Sequence, residues 1–486
     1  MDFVINLEYR SSVPVYRRAS DAIRKAIIEG RLKPGQTMPS VRDLSAGLQI
    51  SRATVLKAFD DLQKQKYITT ISGSGTYVCD PLPGEMFEQN LQNEDVAEIQ
   101  PVSLSDYGQR VLDMAGYQRR RLEQLAQLQF CGPPLELTPL SKWRQLLVRH
   151  CKLRDLAHLA HAREPLGYPP LRDALSAYLH RARGVKYSPD LLVVFASQQF
   201  KLEIPSRLLI DPGDLVAIEE PGYPDARMCF ASHGAKFLNV PIDQDGLDVS
   251  YLEKISQPIK CVYVTPSHQD PTGIVMSLER RKWLLDWAAR SNTLIIEDDY
   301  DSEYRYGNEQ LPSLHGLDPA ENVIYISSLW KVLFPMVRLG FLVLPKRLLH
   351  PVFLAKLQTE RNLPLLEQFA LTDFINDGYL EKHIKRTTVV YAKRRQALIQ
   401  SLTRHCRETV VLPFETSGMH LLIQVRSRHS DRRIVDVAAE WGLSLMSTEL
   451  YYSGVSEPGE FLMPFAHLEE NSLDESVRGW AQFVKS

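Results

Sequence analysis

Lys331 stands in Ser327-Ser328-Leu329-Trp330-Lys331-Val332-Leu333-Phe334-Pro335, an otherwise apolar segment followed by Arg338-Leu339-Gly340. A lysine held among apolar groups gives up its proton more readily and can form a Schiff base with an aldehyde. Ser328 and Arg338 flank it and can bind a phosphate, the arginine through two parallel hydrogen bonds. A lone lysine is far more often a solvated surface charge, so the reading depends on what else the chain supplies.

Four further motifs supply it. Ala196-Ser197-Gln198-Gln199 precedes a helical stretch, whose free N–H groups favour a phosphate, although most such residues merely cap a helix. Glu220-Pro221-Gly222-Tyr223-Pro224 is a turn whose tyrosine can stack on a planar ring, or simply cover core. Ser267-His268-Gln269-Asp270-Pro271-Thr272-Gly273 is another turn. Glu297-Asp298-Asp299-Tyr300 brings three carboxylates together, which is costly without a cation or hydrogen-bond donor among them. A protonated pyridine nitrogen meets that need, and a carboxylate there keeps the ring an electron sink. A metal site ranks lower because no histidine lies within this cluster, and none is assigned.

These motifs fall at the ends of short apolar, β-rich runs at 191–195, 215–218, 261–265, 294–296, 323–326 and 339–344. Helical segments alternate with them. Such runs suit buried, mostly parallel strands with helices on both faces, a fold class that places ligands at strand ends.

The first 80 residues read differently. Val15, Ala19, Ala22, Ile23, Ala26 and Ile27 recur at helical spacing, and Gly30 supplies a stop. Ser40 caps a second helix and Ser51 a third, with Val55, Ala58, Phe59 and Leu62 as its buried stripe. Two short helices across a tight turn form a helix-turn-helix, whose second helix meets bases with its N-terminal residues. Those residues are Ser51, Arg52 and Thr54, with Lys57 a turn later; Arg42 suits a backbone phosphate. Strand-like runs at 67–70 and 76–78 enclose a hairpin tip whose glycines, Gly75 among them, allow close approach to a sugar-phosphate backbone. Taken alone, the helices also fit a small protein-binding domain.

The chain of 486 residues exceeds one ordinary domain. Its net charge of -2 hides a head (residues 1–80) with 12 basic and 8 acidic residues on a body with 45 and 51. A basic head permits a nucleic-acid contact. No apolar stretch approaches the roughly 20 residues that span a bilayer, and no signal peptide is visible. Cys79, Cys131, Cys151, Cys229, Cys261 and Cys406 lack CxxC spacing and suit a reducing cytoplasm.

The run PSVRDLSAGLQISRATVLKAFDDL followed by GSGTYV closely resembles the winged helix of the GntR family of bacterial regulators. The succession of motifs in the body resembles fold-type I pyridoxal-phosphate (PLP) enzymes. Together they resemble the MocR/GabR subfamily over essentially the whole chain. The resemblance implies a winged helix at 12–79 and an aminotransferase-like effector and dimerisation domain at 119–486 with a smaller C-terminal subdomain; between them Pro81, Pro83, Gly84 and a polar, acidic stretch without helical or strand period read as a linker at 80–118 that becomes ordered near Ser105-Asp106-Tyr107. It puts the Schiff-base lysine on Lys331, the partner of the pyridine nitrogen on Asp298 and that of the ring hydroxyl on Tyr300. Tyr223 becomes the stacking aromatic, Ser197, Gln198, Ser328 and Arg338 the phosphate ligands, and Asp270 a neighbour of the ring oxygen. It further implies a regulator binding double-stranded operator DNA, a head-to-tail homodimer, and an amine, amino acid or PLP as effector. An active aminotransferase with a DNA-binding head, and a regulator with a cofactor-less body, are the alternatives.

Several positions depart from the pattern. Lys66 and Ala196 stand where glycine is common, Trp330 where a small residue precedes the lysine, and Asp270 where relatives have asparagine or an aromatic. Ala162 replaces a tyrosine. Phe461-Leu462-Met463-Pro464-Phe465-Ala466-His467 lacks an arginine for a substrate carboxylate.

Overall fold

The computed structural model describes residues 13–80, 82, 102–127, 133–152, 164–306, 311–413 and 417–486. Ala162 and Cys131 lie outside these residues. The chain divides into two compact units between Ser103 and Leu104. No described helix is long and apolar enough to cross a membrane, and the five described cysteines are free thiols.

In the first unit, α1 (Val15–Ile28), α2 (Val41–Gly47) and α3 (Arg52–Lys64) precede the antiparallel ribbon β1 (Ile68–Ile71) and β2 (Gly75–Val78). Ser40 and Ser51 cap α2 and α3 by accepting from the N–H of Asp43 and Thr54. Ile23, Ile27, Leu44, Leu48, Val55, Phe59, Leu62, Ile68 and Val78 form one core. Lys66 adopts φ of +62° just past α3, and the Tyr67 N–H closes the helix end on the Leu62 carbonyl. This left-handed residue is why glycine suits the position.

The second unit begins earlier than the sequence reading placed it. Ser105 caps a helix at Asp106–Asp113, and another spans Ala115–Gln127. Arg110 donates to the Ser232 carbonyl and the Tyr117 hydroxyl to that of Leu450. Residues 104–118, read as linker, are therefore part of the body.

The body's large sheet contains β3 (Leu192–Phe195), β4 (Leu215–Glu220), β5 (Lys236–Asp243), β6 (Gly246–Leu247), β7 (Cys261–Val264), β8 (Leu294–Asp299), β9 (Val323–Ser328) and β10 (Gly340–Val343), in the order β3-β10-β9-β8-β7-β4-β5-β6. Strands β9, β8, β7, β4 and β5 run parallel. Strand β10 runs antiparallel to both its neighbours. Apolar clusters pack on the sheet. A smaller antiparallel sheet of β11 (Val410–Val411), β12 (His420–Val425), β13 (Met446–Ser447) and β14 (Glu460–Pro464) follows, in the order β11-β12-β14-β13.

Leu62 is fully enclosed in the head. Leu62→Ala should cost about 2–5 kcal/mol. In a urea titration of the full chain, DNA binding should then be lost at lower denaturant while the body keeps its far-UV signal.

Candidate functional site

The alternation of side chains along a strand settles how β8 tolerates three carboxylates. Asp298 faces one side; Glu297 and Asp299 face the other. The Asp299 carboxylate accepts from Arg183 at 2.6 and 3.0 Å and from the Tyr325 hydroxyl at 2.5 Å. Burial alone raises its pKa, but the Arg183 guanidinium beside it brings the net shift below the ordinary value. Glu297 accepts the N–H groups of Leu314 and His315 at 2.8 and 2.9 Å. Asp298 accepts from the Lys201 ammonium at 2.7 Å and the Tyr263 hydroxyl at 2.9 Å. The cation and donors that the cluster was expected to need are thus present, supplied by the chain itself rather than by a bound ring.

Asp298 opens onto a cavity of about 420 Å³ that also receives Lys331, Tyr300, Tyr223, Asp270, Gln198 and Ser328. Seven of the nine residues assigned to the cofactor thus meet in one place, although they span positions 198 to 331. Ser197 sits in the same turn as Gln198, with its hydroxyl accepting the Gln199 N–H at 3.2 Å. Arg338 does not join them. Its side chain is exposed and its backbone N–H donates to Glu367.

Lys331 lies on a short helix, Trp330–Leu333, directly after β9. Its Nζ is 3.6 Å from an Asp301 carboxylate oxygen. Trp330 turns its indole onto Phe334, ring centroids 5.0 Å apart, which is where the extra bulk goes. The Tyr300 hydroxyl is shielded from solvent and makes no hydrogen bond of ordinary geometry, although the Asp270 carboxyl lies near enough to feel it. Such a group is costly unless something else completes it.

Three features escaped the sequence reading. Arg121 is buried in the cavity wall, donates to Asp225 at 2.8 Å, and lies against the Tyr223 and Tyr451 rings. Lys201 lies in the first turn of the helix Phe200–Leu209; its only sequence signal is a charge between Phe200 and Leu202. Finally, His268 and His420 are brought to Asp301, with one ligand atom of each within 4.8 Å of the others. The histidines missing from the carboxylate motif thus arrive from elsewhere. The Lys331 ammonium already balances Asp301, so a dication would leave two uncompensated charges in a buried site. Burial holds His420 down at about 4 and His268 well below its usual value, so both are neutral.

In the head, Arg42, Ser51, Arg52, Lys57 and Gly75 are exposed, and Thr54 is partly so. Lys57 rests over the Tyr16 ring at 4.4 Å. Gly75 adopts φ of +129° at the wing tip, a conformation glycine tolerates best.

Comparison with known proteins follows this division. Residues 15–78 match the family model described as "Bacterial regulatory proteins, gntR family", and 136–475 match "Aminotransferase class I and II". The probable rhizopine catabolism regulatory protein MocR of Rhizobium meliloti is 31% identical over 97% of this chain and 94% of its own. The chain belongs to the MocR/GabR group of GntR regulators. This MocR-type regulator is also 27% identical to the pyridoxine biosynthesis transcriptional regulator PdxR of Corynebacterium glutamicum, over 97% of this chain and 96% of that one. The α-aminoadipate aminotransferase LysN of Thermus thermophilus, solved with N-(5'-phosphopyridoxyl)-L-leucine, matches its body. The TM-score is 0.66 at 26% identity, covering 73% of this chain and 90% of that one. The regulator therefore joins a winged-helix DNA-binding head to a fold-type I aminotransferase body.

Burial pushes the Asp270 carboxyl up to about 7, against the pull of Arg121 and Lys331. The folded protein thus holds this proton to higher pH than the unfolded chain, and stability falls as pH rises from the ordinary 3.8 towards 7. Asp270→Asn should therefore raise the melting temperature most above pH 7 and less at pH 5. Thermal scans across that range check it.

Proposed function

We propose that this regulator holds pyridoxal 5'-phosphate in the Lys331 cavity and converts ligand chemistry there into a change of DNA affinity. The signal is an amine, an amino acid or PLP itself. The observation carrying the reading is the Tyr300 hydroxyl, buried without a well-formed hydrogen bond in the cavity that contains Lys331. It fits the family assignment of this tyrosine to a ring hydroxyl. Tyr223 provides a flat face for the ring, and Gln198 and Ser328, with Ser197 beside them, provide donors for the phosphate. Arg338 reaches that phosphate only by leaving its exposed position. When bound, PLP supplies an aldehyde carbon reactive toward amines and an electron-withdrawing ring. The chain's own residues hold and orient it, and Asp301 stabilises the charge at Lys331 Nζ until that nitrogen is needed as an amine.

Signalling rather than turnover is favoured by the segment at 461–467, which lacks an arginine for a substrate carboxylate. The relative named for pyridoxine biosynthesis supports counting PLP among the signals. A ligand that binds two states of a head-to-tail dimer unequally shifts operator affinity by that difference. Cytoplasmic location and a two-part operator belong to the same reading.

Adding PLP to purified protein should produce a visible absorption band that Lys331→Ala removes. No band in the wild type, or an undiminished one in the variant, would sink the proposal. In the head, Arg52→Ala should weaken operator binding by about 1–3 kcal/mol while sparing non-specific DNA. Gel-shift titrations against operator and scrambled duplexes check this; an equal loss on both would make Arg52 a phosphate contact.

A further inference from the structure

Lys201 is a buried cation with one buried ionic partner. Its Nζ lies 2.7 Å from Asp298 Oδ1, and the two residues are 6% and 3% exposed. Tyr263 donates to the other oxygen at 2.9 Å. Both oxygens of Asp298 are therefore engaged by the chain itself, and Lys201 is part of the cavity wall.

We infer that Lys201 is a built-in competitor for Asp298, set to keep that carboxylate satisfied when the cavity is empty and the affinity for a pyridoxal ring low. The inference rests on the reading of Asp298 as the acceptor for the ring nitrogen. The pair Asp298–Lys201 is neutral as it stands. A protonated ring nitrogen would add a positive charge to it in a site of low dielectric, or would have to push the ammonium aside. Breaking a buried pair from one side is expensive, so part of the cofactor's binding energy is spent on separating Lys201 from Asp298. The lysine stem is long and flexible, and its place in the cavity wall gives the displaced ammonium room to move. Two consequences follow. Without cofactor, Asp298 is not left uncompensated. With cofactor, the ring nitrogen has a weaker hold on its proton and the ring is a poorer electron sink. Exchangeable occupancy with blunted chemistry suits a sensor of cofactor concentration.

The test is PLP titration of the full-length chain, followed by intrinsic fluorescence and the visible band. Lys201→Met keeps the stem and removes the charge. It should bind PLP about tenfold more tightly, equivalent to roughly 1.4 kcal/mol. Without PLP it should melt at a lower temperature than wild type, with a larger rise on adding PLP, because Asp298 then lacks its counter-ion only in the empty state. Lys201→Gln retains a donor to Asp298 and protects folding; it should tighten binding by a smaller factor. In an Asp298→Asn background, Lys201→Met should leave the affinity unchanged. A wild type that gives the Lys331-dependent band, with both Lys201 variants binding PLP equally or more weakly, overturns the role of Lys201 alone. A wild type that gives no such band overturns the cofactor reading and this inference with it.

Discussion

Carboxyl groups do not survive burial without partners, and the three that close β8 set the terms for much of the body. Their oxygens demand donors, and the donors come from other elements of the chain. Arg183 and Tyr325 serve Asp299, the start of the helix Leu314–Leu317 serves Glu297, and Lys201 and Tyr263 serve Asp298. Meeting those demands draws the helix Pro169–Arg183, the helix Phe200–Leu209 and strands β7 and β9 into fixed relation around one strand end. The cavity that contains Lys331 lies where the three carboxylates separate onto two faces.

Legibility in the sequence followed the range of the interactions. The head was readable almost residue by residue, because serine caps, glycine stops and an apolar stripe act within a few positions of each other. The central strands were readable because burial on both faces makes them continuous apolar runs. Strand β5 was not read: at the sheet's edge region it mixes Lys236, Asn239, Pro241 and Asp243 with apolar residues. The four strands of the small sheet escaped too, two of them being only two residues long. The start of the body was misplaced because the helix Asp106–Asp113 has no buried side chain to mark an apolar stripe.

The site divides the same way. Turn motifs announced Tyr223, Asp270, Asp298, Tyr300 and Lys331, since each lies at or within a few residues after the end of an apolar strand. Arg121, Lys201 and His420 have no local signature, because what makes them important is a partner roughly a hundred or more residues away. Arg338 shows the converse. It has the right type and spacing for a phosphate, yet its side chain is exposed and does not line the cavity.

Strand β10 adds a mechanical property to this chemistry. Ser328 faces Gly340 across the β9–β10 ladder, so the loop that carries Lys331 leaves and re-enters the sheet at one rung. A methyl at Gly340 would sit 3.0 Å from the Gln198 Cα and 3.2 Å from the Ser197 carbonyl. The rung is thus wedged directly against the turn at 197–198. A loop pinned at both feet cannot swing freely, and a pull on its lysine loads the feet. Such a load would reach the neighbouring turn, because the space between them has no room for even a methyl group. Strain at one end of the cavity would be felt at the other as a shift of the main chain, making the pocket respond as a single stiff piece.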